Sequence, residues 1–229
     1  MKLKKSLLLT AGIMTFTAGL SFQSVANAAE VDPVKVINVV NTLDYSQVIQ
    51  DYSDVERYLA ILEIYKSEHP NASVEELDDF LSVEMGKELL TGISTQSEIS
   101  PMSADDLPYV TDVLNAKEKV VFNSNKVYGL NALVAGQKAK SYSKSIYTTG
   151  SLSNGNGDAY RHILWNTLMR NYTTKAYAEK FATAHEEGTA NNPAIQKQMD
   201  LYNNEIGRGL TFNNSGSYGD LAAMTVVQK

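Results

Sequence analysis

The sequence predicts an all-α protein, and three observations carry that prediction. Apolar residues repeat at three- and four-residue steps through nearly every periodic segment. Helix-start signals stand ahead of those segments, as in Ser73 with Glu76 three residues on and Asn192 before Pro193. No half of the chain is strand-rich, and no internal repeat or Gly-rich phosphate loop occurs.

The elements follow in order. Residues 1–28 have the layout of a signal peptide: Lys2, Lys4 and Lys5, an apolar stretch from Leu7 to Leu20, and Ala26-Asn27-Ala28 as an A-x-A cleavage site. The apolar stretch is shorter than the about 20 residues a bilayer span needs. The expected mature chain therefore starts at Ala29 with no transmembrane segment, and the expected location is secreted, extracellular or associated with the cell envelope. An N-terminal helical region with its linker is expected over 29–100. Val55, Tyr58, Leu59, Leu62 and Tyr65 form one stripe, which ends before Pro70. His69, beside that proline, is expected to be an exposed helix-end residue. Ser73 and Glu76 then open a helix carrying Leu77, Phe80, Leu81 and Met85. Residues 91–106 are polar, with Gly92 and Pro101, and mark the boundary.

A C-terminal multi-helix domain is expected over 107–229. It begins with a helical pattern over 109–147, interrupted near Asn123-Ser124-Asn125. Gly129 and Gly136 offer close helix contact. A loop over 148–157 precedes helices over 158–172, over 174–187 with Gly188 at the end, and from Asn192-Pro193 to Gly207 or Gly209. A short helix or strand closes the chain.

Charge and cysteine content exclude several classes. Without the signal the chain has 17 basic and 26 acidic side chains, a net charge of −9. General nucleic-acid binding needs a basic surface and is not expected, nor is adsorption to anionic lipid. A local basic stretch remains at Lys138–Lys144. The chain has no cysteine, so disulfides, zinc–thiolate sites and cysteine nucleophiles are out. The core alone must hold the fold, helped at most by a divalent metal.

Three polar segments stand out. In "GDAYRHILW" (157–165), Asp158, His162, Trp165 and Met169 share one helical face, with Arg161 beside them, while Tyr160, Ile163, Leu164 and Leu168 cover the other. A helix apolar on both sides of a polar row is central and buried, so that row needs partners. In "AHEE" (184–187), His185 is expected to point inward with Phe181, and Glu186 to lie on the flank. In "MDLYNNEIGR" (199–208), Ile195, Met199, Tyr202 and Ile206 read as the core stripe. Asp200 and Asn203 border it, Gly207 leaves the edge open for close approach, and Arg208 lies farther round.

Short loops make these helices neighbours, so Asp158, His162, His185, Glu186 and Asp200 are candidate ligands for a divalent metal with an open water position. Asp158, His162 and His185 are equally candidates for His-based acid–base catalysis. Arg161, Trp165, Asn203 and Asn204 are candidate substrate-binding residues. The same residues also suit a purely structural hydrogen-bond network. HExxH and G-x-S-x-G are absent.

The order DAxRHxxW, HE, MDLxNNxxG resembles an uncharacterised bacterial helical domain of unknown function. Such domains occur in secreted proteins of Gram-positive bacteria and at the C-termini of polymorphic-toxin-like proteins. Asp158, Arg161, His162, Trp165, His185, Glu186, Met199, Asp200, Asn203, Asn204 and Gly207 match it over residues 155–208, and the domain is expected to reach back to residue 110. Members often have His where this chain has Tyr202, so a site that needed that ligand would be impaired here. The resemblance implies a helical domain with shared polar segments and brings no activity with it. Two function classes therefore stay open: a metal-assisted or His-based hydrolase, and a non-catalytic secreted binding or accessory module whose polar row locks its helices.

Overall fold

The computed structural model describes residues 43–91, 114–190 and 192–210. The expected signal peptide, the boundary segment beyond Thr91 and the closing segment after Leu210 lie outside them. Helices are the regular structure of the described residues, with no strand among them. After a 3-10 turn at Tyr45–Val48 come α1 (Tyr52–Glu68), α2 (Val74–Thr91), α3 (Ala116–Ser124) and α4 (Lys126–Ile146). A second 3-10 turn, Thr149–Ser151, precedes α5 (Asn156–Tyr172), α6 (Lys175–Gly188) and α7 (Ala194–Gly209).

Capping side chains set most of these boundaries. Asp51 and Asp54 form a capping box at α1. The Ser73 N–H donates to Glu76 Oε2 at 2.7 Å and the Glu76 N–H to Ser73 Oγ at 3.2 Å, the reciprocal pair the sequence announces for α2. Asn125 ends α3 and starts α4: its N–H donates to the Phe122 carbonyl, and its side chain accepts from Tyr128 N–H at 2.8 Å. The interruption expected at Asn123-Ser124-Asn125 is this shared cap. Gly129 lets α4 fold tightly against α3, since a Cβ there would lie 2.3 Å from the Phe122 ring. His69 stacks on Tyr65 at 4.1 Å and is half-buried, not the exposed helix-end residue expected.

The core centres on α5, buried without a break from His162 to Met169. It packs against α4, α7 and α6. One apolar cluster runs from Tyr58, Leu62, Leu81 and Met85 through Phe122 and Leu130 to Tyr160, Leu164 and Phe181. Each such side chain stabilises the fold by roughly 1.5–3 kcal/mol relative to leaving it exposed. Polar ties join the N-terminal helices to the rest. Lys126 donates its N–H to Asp78 Oδ1 at 2.5 Å and pairs its Nζ with Asp78 Oδ2 at 2.9 Å. Asn123 donates to Asp44 at 2.7 Å.

One helix is turned from its apolar pattern toward its polar edge. Ile195 is 73% exposed and Tyr202 50%, while Asp200, Asn203, Asn204, Gly207 and Arg208 form the buried face of α7. Of the stripe expected to be core, Met199 and Ile206 are only half-buried, Ile206 packing against the core, and the polar edge lies within. Tyr202 therefore stands away from the polar cluster.

Candidate functional site

The close approach of α7 to α5 builds the site. A Cβ on Gly207 would lie 2.2 Å from the Ile163 carbonyl oxygen and 2.9 Å from Asn166 Cβ, so only glycine permits this crossing. Thr167 Oγ1 donates to the Gly207 carbonyl at 3.0 Å at the same point. Asn204 and Asp200 lie one and two turns before Gly207 and are carried alongside His162, which α5 presents between Asp158 and Asn166.

A chain of hydrogen bonds then fixes the state of His162. Arg208 can only donate, and its Nη1 lies 2.8 Å from Asn166 Oδ1. That orients the Asn166 amide, whose Nδ2 donates to Asn204 Oδ1 at 2.6 Å. Asn204 in turn donates through Nδ2 to Glu186 Oε1 at 3.0 Å. Asn204 Oδ1 also faces His162 Nδ1 at 3.1 Å, so Nδ1 carries the hydrogen and Nε2 presents its lone pair. Glu186 Oε1, 3.4 Å from the same Nδ1, reinforces that tautomer. Burial, with Arg161 and His185 nearby, holds the His162 pKa well below the ordinary histidine range, so the ring is neutral.

On the Nε2 side the acids gather. Asp158 Oδ1 lies 3.7 Å and Asp200 Oδ1 3.5 Å from Nε2. These three ligand atoms fall within 4.8 Å of one another. Asp158 Oδ2 is occupied by the Asn154 N–H at 2.8 Å. Asp200 Oδ1 is buried with no hydrogen-bond partner. Burial, then the charges of Glu186 and Asp158, raise the Asp200 pKa to about 6, and burial chiefly raises that of Glu186. An imidazole lone pair and two carboxylate oxygens facing one another repel unless a cation stands between them. Arg161 fills part of that role: its Nη2 lies 2.5 Å from Asp158 Oδ1 and 2.7 Å from His162 Nε2. Its side chain is 30% exposed, so it reaches the cluster from the surface.

The donor set fits a small divalent cation. Ligands about 2.1 Å from a tetrahedral ion stand about 3.4 Å apart, close to the two separations from Nε2. One neutral imidazole and two carboxylates suit zinc or manganese, and three protein ligands leave a position for water.

The other candidates fall elsewhere. His185 is not drawn inward to this group: its side chain is about one-third exposed, its Nδ1 lies 2.8 Å from Glu118 Oε1, and its ring lies 6.4 Å from that of His162. Glu186, expected on the flank, is the buried one of the pair. It continues the row Ala178–Ala182–Glu186 at four-residue steps, along which small side chains let α6 approach its neighbours. Trp165 donates its indole N–H to the Ala132 carbonyl at 3.2 Å and meets Phe181 and His185 edge to face. Asn203 is buried on the inner face of α7.

Sequence reasoning missed three residues of the network: Asn166, Arg208 and Glu118. Asn166 continues the row Asp158–His162 by one further turn, which was the available signal. Glu118 stands three residues after Asn115, a capping-box signal that says nothing of His185, and Arg208 gave none, because an arginine near a helix end reads as solvated.

No curated protein and no solved structure matches the chain. Residues 119–229 match the family model of DUF6973, a domain of unknown function.

Proposed function

We propose that Asp158, His162 and Asp200 hold a divalent cation and form the centre of a hydrolase. The observation that carries this reading is Asp200 Oδ1, a buried carboxylate oxygen without a hydrogen bond, aimed at a neutral imidazole lone pair and a second carboxylate. Leaving such a group unsatisfied costs about 1–3 kcal/mol or more, and a cation removes that cost. The bound ion would activate water at its open position. His162 is kept in the ligand tautomer by Asn204 and Glu186. Arg161, at the exposed edge, is placed to bind an anionic group of the substrate once a metal neutralises its present partners. The signal-like residues 1–28 support an extracellular or cell-envelope location, which fits the secreted setting of the domains the chain resembles.

Metal titration tests this. Full-length protein stripped with EDTA is titrated with Zn²⁺ and Mn²⁺, alongside His162→Ala and Asp200→Asn. One ion per chain with at least tenfold weaker binding in both variants is expected. A folded wild type that binds neither ion sinks the proposal.

A second reading rests on Arg161. Its contacts to Asp158 and His162 supply positive charge without any metal, as a structural network in a non-catalytic binding or accessory module requires. It predicts that His162→Ala melts earlier and changes no binding property.

A further inference from the structure

The approach to α5 carries the same dipeptide twice, as Asn154-Gly155 and Asn156-Gly157. Asparagine before glycine is a reactive combination. The glycine backbone nitrogen can attack the side-chain carbonyl carbon of the asparagine, since glycine has no side chain to hinder the approach and lets the backbone turn freely. In a folded protein the rate depends on how firmly that backbone is held. The two dipeptides differ in this respect.

Asn154 is an exposed loop residue with a φ of 58°, the one positive φ outside glycine among the described residues. That conformation favours asparagine or glycine. A Cβ at position 155 would lie 2.9 Å from both the Ser151 Cα and its carbonyl oxygen, so the loop requires glycine next. Each residue of the reactive pair thus suits the fold for a reason of its own. Among the described residues the Asn154 side-chain amide has only a 3.4 Å contact to Ser153 Oγ. The Gly155 carbonyl accepts from the Asp158 and Ala159 N–H groups, whereas the Gly155 N–H has no acceptor among the described residues. Asn156, by contrast, is the first residue of α5. Gly157 is buried, and its carbonyl is held by Ser143 Oγ at 2.5 Å. For its nitrogen to reach the Asn156 side chain, the first turn of α5 would have to open.

We propose that Asn154 is a site of spontaneous modification, converting through a cyclic imide to aspartate and isoaspartate, and that this conversion loosens Asp158. In the first step the Gly155 nitrogen bonds to Asn154 Cγ and the Cγ–Nδ2 bond breaks. Nδ2 leaves as ammonia with the proton that the Gly155 nitrogen gives up. Water then adds to one imide carbonyl, and the bond from that carbon to nitrogen breaks, the nitrogen regaining a proton. Opening at Cγ gives aspartate, and opening at the backbone carbonyl gives isoaspartate. Either product is a carboxylate at neutral pH, four residues before Asp158. Isoaspartate also inserts a methylene into the backbone between the Asn154 Cα and Gly155. The Asn154 N–H, which donates to Asp158 Oδ2 at 2.8 Å, lies across that insertion from α5. The loop must repack or give up this bond. The effect on Asp158 bears on the metal-centre reading above, whereas the modification itself stands without it.

Two measurements on the full chain separate these claims. Protein aged at neutral pH is digested with trypsin, and the peptide spanning residues 145–161 carries both dipeptides. Electron-transfer fragmentation reads each site and separates aspartate from isoaspartate. In the folded protein, conversion at Asn154 at least tenfold faster than at Asn156 is expected. In guanidinium-unfolded chain the two rates should be comparable. A smaller ratio in the folded protein, or no conversion at Asn154 while the unfolded chain converts, overturns the modification. Mn²⁺ titration then compares wild type with Asn154→Gly before and after ageing, since glycine keeps the N–H and accepts a positive φ. Affinity that falls at least threefold in aged wild type and holds in the aged variant is expected. Unchanged affinity in converted wild type overturns the effect on Asp158. Fresh protein that takes no Mn²⁺ removes the metal centre and leaves the modification to stand on the fragmentation result.

Discussion

Between α1 and α2, Arg57 donates to Glu88 at 2.8 Å and to Asp54 at 2.9 Å, and Tyr58 donates its hydroxyl to Glu88 at 2.8 Å. Between α5, α6 and α7, three buried acids surround a neutral imidazole, with one partly exposed arginine at the edge. Both clusters are ionic and both are enclosed. In the first, burial works against the Arg57 charge, but its hydrogen bonds to Asp54 and Glu88 more than offset this and raise its pKa. In the second, burial and the neighbouring acids push Asp200 up to about 6, and one of its oxygens has no hydrogen bond. The first has the form of a cluster that holds helices together. In the second, Arg161 contacts Asp158 and His162 and leaves Asp200 Oδ1 without a hydrogen bond.

The largest effects should separate the two directly. Arg57→Ala leaves the half-buried Glu88 with only the Tyr58 hydroxyl and is expected to cost about 3 kcal/mol in urea denaturation. It should leave Mn²⁺ and Zn²⁺ affinity unchanged. Gly207→Ala should cost a comparable amount, about 3 kcal/mol, because α7 must move off the Ile163 carbonyl. Unlike Arg57→Ala, it should also abolish metal binding. Equal metal binding by the two variants would erase the distinction drawn between the clusters.

Asp200→Asn is expected to act in the opposite direction. In EDTA it should stabilise the fold, on the order of 1–3 kcal/mol at pH 7, since each pKa unit is worth about 1.4 kcal/mol. The pH dependence gives the sign. Asp200 rises from 3.8 to about 6 on folding, so the folded chain holds the proton more tightly. The stability this contributes is fully present below pH 3.8 and is lost as pH rises through about 6. The Asn variant should lack that loss, so its advantage should open between these values. A variant less stable than wild type at pH 7 in EDTA would mean that Arg161 already balances the charge of Asp200.

His185→Ala should do much less. The side chain is partly exposed and pairs with Glu118, so a loss of no more than about 1 kcal/mol is expected. Metal affinity should stay within threefold, and a tenfold drop would place His185 in the centre after all. The smallest effect belongs to Lys140→Met, because this long side chain is only partly buried and solvent screens its charge. A lysine whose pKa falls from 10.5 to about 8 on folding penalises the fold while it is charged. The variant should melt slightly higher than wild type at pH 7, and its gain should fade as pH climbs from about 8 to 10.5.

Most of the fold was legible in the sequence, for local reasons. The Ser73–Glu76 box, the shared cap at Asn125 and the stop at Pro70 are short-range chemistry. The polar row Asp158–His162 was legible because a helix apolar on two sides cannot leave such a row in solvent. The orientation of α7 was not. Periodicity says which residues share a face, and it grouped Ile195, Met199, Tyr202 and Ile206 correctly. Which face turns inward was decided by Gly207, whose missing side chain allows a backbone contact that no bulkier residue could make. The same limit applies to His185 and Glu186. Adjacent helical residues point about 100° apart, and only the small residues Ala178 and Ala182 marked the side on which Glu186 would be enclosed.

Arg161 gives the molecule a provisional counter-ion on a tether. Its guanidinium already lies against Asp158 and His162, so the chain can reach its folded shape before any ion arrives. In a small zinc domain, by contrast, the metal is itself the source of folding free energy. For the proposed ion, assembly and loading would then be separate events, and the rate of loading would depend on how readily this partly exposed side chain swings aside.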